Sequence, residues 1–145
     1  MKYQNFMKLS FPSKSANEGF ARAAVAAFCA QLDPTVEQIN DVKTSVSEAV
    51  TNCIVHGYPD KVGTITVEAG IREDHRIVIR IKDKGRGIPD IAQAMEPMFT
   101  TCQTGERAGL GFAVMESFTD KLKVRSTPGK GTTVTMEKKI KVREK

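Results

Sequence analysis

Glu48, Asn52 and His56 follow one another at four-residue spacing in the segment S-E-A-V-T-N-C-I-V-H-G-Y. That spacing stacks side chains on one face of a helix. A carboxylate and a carboxamide projected together hold a hard cation, directly or through water. The carboxylate can also take a proton from an attacking hydroxyl. A solvated polar helix face has the same composition, so both readings stand. A second cluster is Asp83-Lys84-Gly85-Arg86-Gly87. An ionised acid at a strand end accepts a hydrogen bond from an exocyclic amine such as adenine's. The glycines that follow let the backbone reverse direction or pass close to a flat ring. A plain turn after a strand would also use them.

The third cluster is Gly105-Glu106-Arg107-Ala108-Gly109-Leu110-Gly111-Phe112. Gly109, Leu110 and Gly111 open a helix whose free N–H groups can cradle phosphate oxygens. Arg107, just upstream, can reach a terminal phosphate and spread its charge. The segment matches neither G-x-x-x-x-G-K-[ST] nor the dinucleotide fingerprint, and a flexible helix entry is the plain alternative. The fourth is Gly129-Lys130-Gly131-Thr132-Thr133. It reads as a hairpin turn, or as a turn that brings the Thr132 hydroxyl to a phosphate or a base.

The elements that must position these clusters follow from periodicity. Phe6 to Phe11 reads as a strand. Ser15 and Glu18 stand at capping-box spacing, and Phe20, Ala24, Ala27 and Phe28 predict the buried stripe of the helix that follows. After Asp33-Pro34, Thr35 and Gln38 form a second capping-box pair. A long helix is expected from about Thr35 to His56, stopped by Gly57, with Ile39, Val42, Val46, Ala49, Val50 and Cys53 as its apolar face. Alternating Ile65, Val67, Ala69, Ile71 and then Ile77, Ile79, Ile81 predict two strands joined by a turn at 72–75. A long connection with a short helix near 91–95 leads to a helix from Leu110 to Phe118. Two strands, 121–126 and 132–140, close the chain. The economical layout is α+β: a two-layer α/β sandwich, its sheet mixed or mostly antiparallel, with helices on one face.

The 145 residues predict a single domain, 1–145, with a sizeable core. Hydrophobic residues at 40% and charged residues at 27% exclude a disordered chain. Lys and Arg number 22 against 17 Asp and Glu, a net charge of +5 that suits an anionic partner. No apolar run approaches a membrane span, and no leader is read at the start. Cys29, Cys53 and Cys102 are odd in number and form no C-x-x-C pair, so a zinc site or disulfide framework is not expected, and the cytoplasm is. His56 and His75 cannot build a metal site by themselves. Aromatic residues are 6% with no Trp, and no interleaved basic–aromatic surface is readable, which argues against a small nucleic-acid binder.

Acid and amide on a helix, D-x-G-x-G after a strand, a long connection, G-L-G at a helix start and G-T-T on a strand: in this order the clusters resemble the GHKL (Bergerat) ATP-binding family, from about Phe20 to Ile140. The resemblance implies ATP and Mg²⁺ held between the sheet's helical layer and a mobile lid at about 96–108. Carried over by position, it makes Glu48 the general base and Asn52 the Mg²⁺ ligand. It makes Asp83 the adenine-reading acid, with Gly87 beneath the ring. Gly109, Leu110 and Gly111 become the phosphate cradle and Thr132 the closing strand's threonine, while Arg107 keeps the charge-stabilising catalytic role read from the residue itself. Two departures stand out. Arg107 occupies the first glycine of the commoner G-x-G-L-G, which sets the chain apart from a histidine-kinase lid, and Cys53 stands where a small residue, often alanine, usually follows the asparagine.

Neither histidine is a phospho-acceptor candidate, since His56 sits in the nucleotide cluster and His75 in a turn. The segments F-A-R-A-A-V-A-A-F, A-Q-L-D-P-T and M-E-S-F-T-D-K-L resemble the branch of free-standing serine-protein kinases that act as anti-sigma factors in spore-forming bacteria. This implies a homodimer that uses Mg·ATP to hold a sporulation sigma factor of the sigma F type. It also implies phosphorylation of a serine on an anti-anti-sigma protein. Neither nucleic acid nor membrane is an implied partner. Glu18 and Arg22 would contact both protein partners, although a helix cap and a solvated charge account for them equally. The sister kinases of the general stress response, of the sigma B type, and a module in which ATP only shapes a binding surface are the alternatives.

Overall fold

The computed structural model describes residues 2–88 and 110–141. Five strands, β1 (Asn5–Pro12), β2 (Thr64–Ile71), β3 (Arg76–Asp83), β4 (Lys121–Thr127) and β5 (Gly131–Lys139), form one sheet in the order β1-β2-β3-β5-β4. Every neighbouring pair is antiparallel. Helices α1 (Ala16–Cys29), α2 (Val36–Asn52) and α3 (Leu110–Phe118) complete the described elements, with a short 3₁₀ turn at Ala30–Leu32 and a π-turn at Cys53–Gly57.

The period-2 alternation explains the layering. Ile65, Val67, Ala69 and Ile71 of β2 are buried with Ile77, Ile79 and Ile81 of β3 and Val134 and Met136 of β5. Val25 of α1, Val42 and Val46 of α2 and Met115 of α3 lie in the same core. Each such side chain contributes about 1.5–3 kcal/mol on leaving water. The opposite face of the sheet is polar, and Glu68 there pairs with Lys82 at 3.0 Å and Arg80 at 3.7 Å.

The Thr35 capping box is complete: its hydroxyl accepts from the Gln38 N–H at 3.1 Å, and the Thr35 N–H donates to the Gln38 side-chain Oε1 at 2.9 Å. The Ser15 box does not form. Ser15 adopts helical angles (φ −57°, ψ −30°), so its hydroxyl caps nothing. Glu18 pairs instead with Arg22, one turn on, at 3.3 Å. The buried stripe of α1 is also displaced by one residue from expectation. Ala21, Val25 and Cys29 are buried, whereas Phe20 is 56% exposed with its ring edge-on to Phe11. The α-helical register of the second helix stops at Asn52, not His56, because the next turn widens: the Tyr58 N–H reaches back five residues to the Cys53 carbonyl. His56 therefore lies in the π-turn rather than continuing the α-helical row of Glu48 and Asn52. The expected helix near 91–95 lies outside the described residues, and among those described no helix is long and apolar enough to cross a membrane.

A candidate nucleotide and transfer site

Helix α2 delivers Glu48 and Asn52 to the start of α3. A side-chain carbon built on Gly111 would stand 3.1 Å from Asn52 Nδ2, 3.2 Å from Asn52 Oδ1 and 3.2 Å from Glu48 Oε2. The acid, the amide and the glycine at the helix opening therefore converge. Residues from different elements meet here because α2 packs against α3, with Val46, Ala49 and Val50 in one core with Phe112 and Met115.

On the far side of the π-turn, Asp83 ends β3. It is buried, and a side-chain carbon on Gly57 would lie 3.0 Å from its carboxyl carbon. The Gly85 N–H donates to Asp83 Oδ1 at 2.9 Å. The Cys53 thiol and the Thr132 backbone beside it favour its charged form as well. Burial pushes the Asp83 carboxyl above its usual range, and these three neighbours pull the other way. Burial likewise pushes the Cys53 thiol well up, aided by the adjacent Asp83 charge, so cysteine stays protonated and donates. Tyr58, also raised by burial, accepts from the Lys84 N–H at 2.6 Å and donates to the Thr64 carbonyl at 2.8 Å, which fixes the strand end.

The D-x-G-x-G glycines are required by neighbouring chain. A side chain on Gly85 would collide with the Gly57 carbonyl, and one on Gly87 (φ +77°) with the Thr127 carbonyl. Gly131 (φ +123°) lies against the Asp83 carbonyl in the same way. Arg86 straps this loop down: its N–H donates to the Gly57 carbonyl and its Nε to the His56 carbonyl, both at 3.0 Å, and its own carbonyl accepts from the Gly129 N–H at 2.7 Å. Thr132 sits directly opposite Asp83 in the β3–β5 register. Arg86 and Ser126 are the parts of this end to which the sequence attached no role, while Cys53 was read as apolar helix face and Gly57 as the helix stop. The capacity of a hairpin to set Ser126 opposite Thr132 was the available signal for the serine.

Glu48 also borders an open groove of about 470 Å³ between α1 and α2, lined by Glu18, Arg22, Lys43, Ser47 and Thr51 among others. Arg22 Nη1 donates to Glu18 at 3.3 Å and, more weakly, to Ser47 Oγ at 3.4 Å. Arg107, Gly109 and the expected lid at 96–108 lie outside the described residues, and of Leu110 only the backbone is described.

A carboxylate and a carboxamide facing a helix opening are the hard-oxygen donors that Mg²⁺ prefers, and that ion takes few protein ligands and several from phosphate and water. Among the described residues no group of three or more His, Cys, Asp and Glu is placed to hold a metal ion. The donors present fit such an ion.

The chain matches the histidine kinase-like ATPase domain over residues 11–138. It is 60% identical over 140 residues to the anti-sigma F factor of Thermoanaerobacter sp. (strain X514), covering 97% of each chain. It is 57% identical to that of Clostridium beijerinckii, covering 95% of this chain and 96% of the other. Among solved structures, it resembles the RsbU and RsbW domains of Rv1364c from Mycobacterium tuberculosis with a TM-score of 0.67 at 21% identity, covering 94% of this chain and 32% of that one. The histidine kinase domain of the blue-light activated kinase EL346 from Erythrobacter litoralis gives 0.57 at 19% identity, over 85% of this chain and 61% of that one. Likeness at that identity shows the fold.

Proposed function

We propose that this chain, which belongs to the histidine kinase-like ATPase family and within it to the anti-sigma F factors, transfers the γ-phosphoryl group of ATP to a serine of a protein partner and sequesters a sigma factor. The observation that carries the reading is the double exposure of Glu48. Its carboxylate faces Gly111 at the helix opening and also borders the groove that contains Glu18 and Arg22. A base with one side to the phosphates and the other to an open surface groove is what transfer to a partner needs. A module that only binds nucleotide has no use for it.

In this reading Asp83 and Thr132 hold the adenine edge, with Gly87 keeping the loop close beneath the ring. The backbone N–H groups of Gly109, Leu110 and Gly111 bind phosphate oxygens, and Arg107 neutralises charge on the transferring group. Asn52, with Glu48 near it, would help hold Mg²⁺, which when bound screens phosphate charge. The partner's serine oxygen forms a bond to the γ-phosphorus while the bridging bond to the β-phosphate breaks. The serine proton passes to Glu48, and ADP leaves. Positioning and electrostatics dominate such reactions. Glu18 and Arg22 dock the partner, an anti-anti-sigma protein for transfer or a sigma factor of the sigma F type for sequestration. The sigma F assignment draws on the full-length likeness to anti-sigma F factors. Two copies of the chain act together as a homodimer in the cytoplasm, and residues 1–145 make one domain.

The test is a transfer assay with γ-labelled ATP and an anti-anti-sigma protein. Glu48→Gln keeps shape and removes the base, so transfer falls by about 10²–10⁴-fold while titration with ATP gives a near-normal affinity. Label transferred by Glu48→Gln at the native rate removes the base assignment.

A further inference from the structure

The last cross-strand row on the helix-covered face runs Ile65, Asp83, Thr132, Ser126. Ser126 Oγ lies 2.7 Å from the Ile88 amide nitrogen, 3.0 Å from the Gly131 carbonyl oxygen and 2.8 Å from Thr132 Oγ1. A serine hydroxyl has one proton and two lone pairs. The Ile88 N–H can only donate, and the Gly131 carbonyl can only accept. The proton of Ser126 therefore goes to Gly131, and one of its lone pairs takes the Ile88 N–H. The remaining lone pair can be satisfied only if Thr132 donates to it. The single proton of Thr132 is thereby committed inside the protein. Toward any ligand beside Asp83, the Thr132 hydroxyl offers lone pairs alone. Asp83 next to it is an acceptor too when ionised, with the Gly85 N–H already filling part of its capacity.

We propose that Ser126 is a specificity-positioning residue: by fixing Thr132 as an acceptor, it makes the strand end a two-acceptor edge that selects a purine bearing a 6-amino group over one bearing a 6-oxo group. The proposal rests on the reading that Asp83 faces the nucleobase. An amino group donates into such an edge. The oxygen of hypoxanthine in the same place meets acceptors only, and a site built to pair one donor rejects the analogue lacking it.

Dissociation constants of the full chain for ATP and inosine triphosphate, measured by titration calorimetry, test this. Ser126→Ala frees the Thr132 proton, lets that hydroxyl turn and donate, and lowers the preference for ATP over inosine triphosphate by about 5–10-fold. Ser126→Thr keeps the hydroxyl and the native preference. Thr132→Val, which leaves the Ser126 bonds to Ile88 and Gly131 in place, lowers the preference in the same direction, and it decides the matter if Ser126→Ala does not fold. If Ser126→Ala weakens both nucleotides equally, Ser126 is a structural tether of Ile88 and the proposal is overturned. An unchanged preference in Thr132→Val overturns it too. Asp83→Asn separates the two levels: a native preference in that variant removes the base reading itself, whereas an altered preference there with none in Ser126→Ala removes only the role of Ser126.

Discussion

The two ends of the site are built in opposite ways. At the base end Asp83 is buried, the Gly85 N–H donates to its carboxylate, and Gly85, Gly87 and Gly131 let three backbone segments close on one another. At the transfer end Glu48 and Asn52 are only half-buried, and in the adjacent groove Arg22 pairs with Glu18 at 3.3 Å and donates weakly to Ser47 at 3.4 Å. Recognition of a rigid base gains from a framework fixed before binding, because little ordering is left to oppose it. Delivery of a serine on another protein requires an approach that stays open. The contrast teaches that one stretch of chain serves both regimes: α2 lines the groove from Asn40 to Thr51, and the π-turn that follows it at Cys53–Gly57 closes over Asp83.

The sharpest way to break the contrast is at Gly85. Its backbone does not need a positive φ, so Gly85→Ala reports close approach to the Gly57 carbonyl and nothing else. A collision with backbone cannot be relieved by a rotamer change. Urea unfolding should show a loss of about 2–3 kcal/mol, and native stability would refute the claim that the base end is preassembled. The groove predicts the reverse pattern. Arg22 is 42% exposed on its side chain, so Arg22→Ala should change stability by less than about 0.5 kcal/mol, while pull-down or titration with the protein partner shows about a tenfold weaker complex. A stable variant with undiminished partner affinity removes the groove from the docking surface.

The smallest expected effect concerns pH. The folded state holds the Asp83 proton more tightly than the unfolded chain does, because burial disfavours the charge. The unfolded state therefore binds fewer protons through this range, and the contribution of Asp83 to stability is present at low pH and is lost as pH rises through its raised pKa. Asp83→Asn should flatten that part of the stability–pH profile. Donation from an amino group favours the ionised carboxylate, so affinity for ATP in the wild type should fall as the solution is acidified through the same window. A profile identical in wild type and Asp83→Asn would place the charge penalty elsewhere.

Much of this was legible in residue order. β2 and β3 came from strict alternation, the limits of α3 from its flanking glycines and turn, and the start of α2 from a capping box that forms. The stripe of α1 was misplaced by one residue for a physical reason. In F-A-R-A-A-V-A-A-F the small apolar residues surround the helix, so periodicity cannot fix the phase, and the sheet decides it by taking Val25. The Ser15 box failed because a residue already in helical angles cannot cap. The π-turn left no signature in residue type, since it arises where α2 must deliver Cys53 to Asp83.

Residue type and spacing alone determined which groups are available for chemistry: a carboxylate and an amide one turn apart, an acid at a strand end, glycines at a helix start. These are local properties, set by helical and strand periods. Tertiary structure decided which of those groups share a space. Glu48 meets Gly111 only because α2 packs against α3, and Asp83 meets Thr132 and Ser126 only through the β3–β5–β4 register. Proton direction at Thr132 belongs to the second kind, because a hydroxyl's donor is assigned by neighbours distant in the chain.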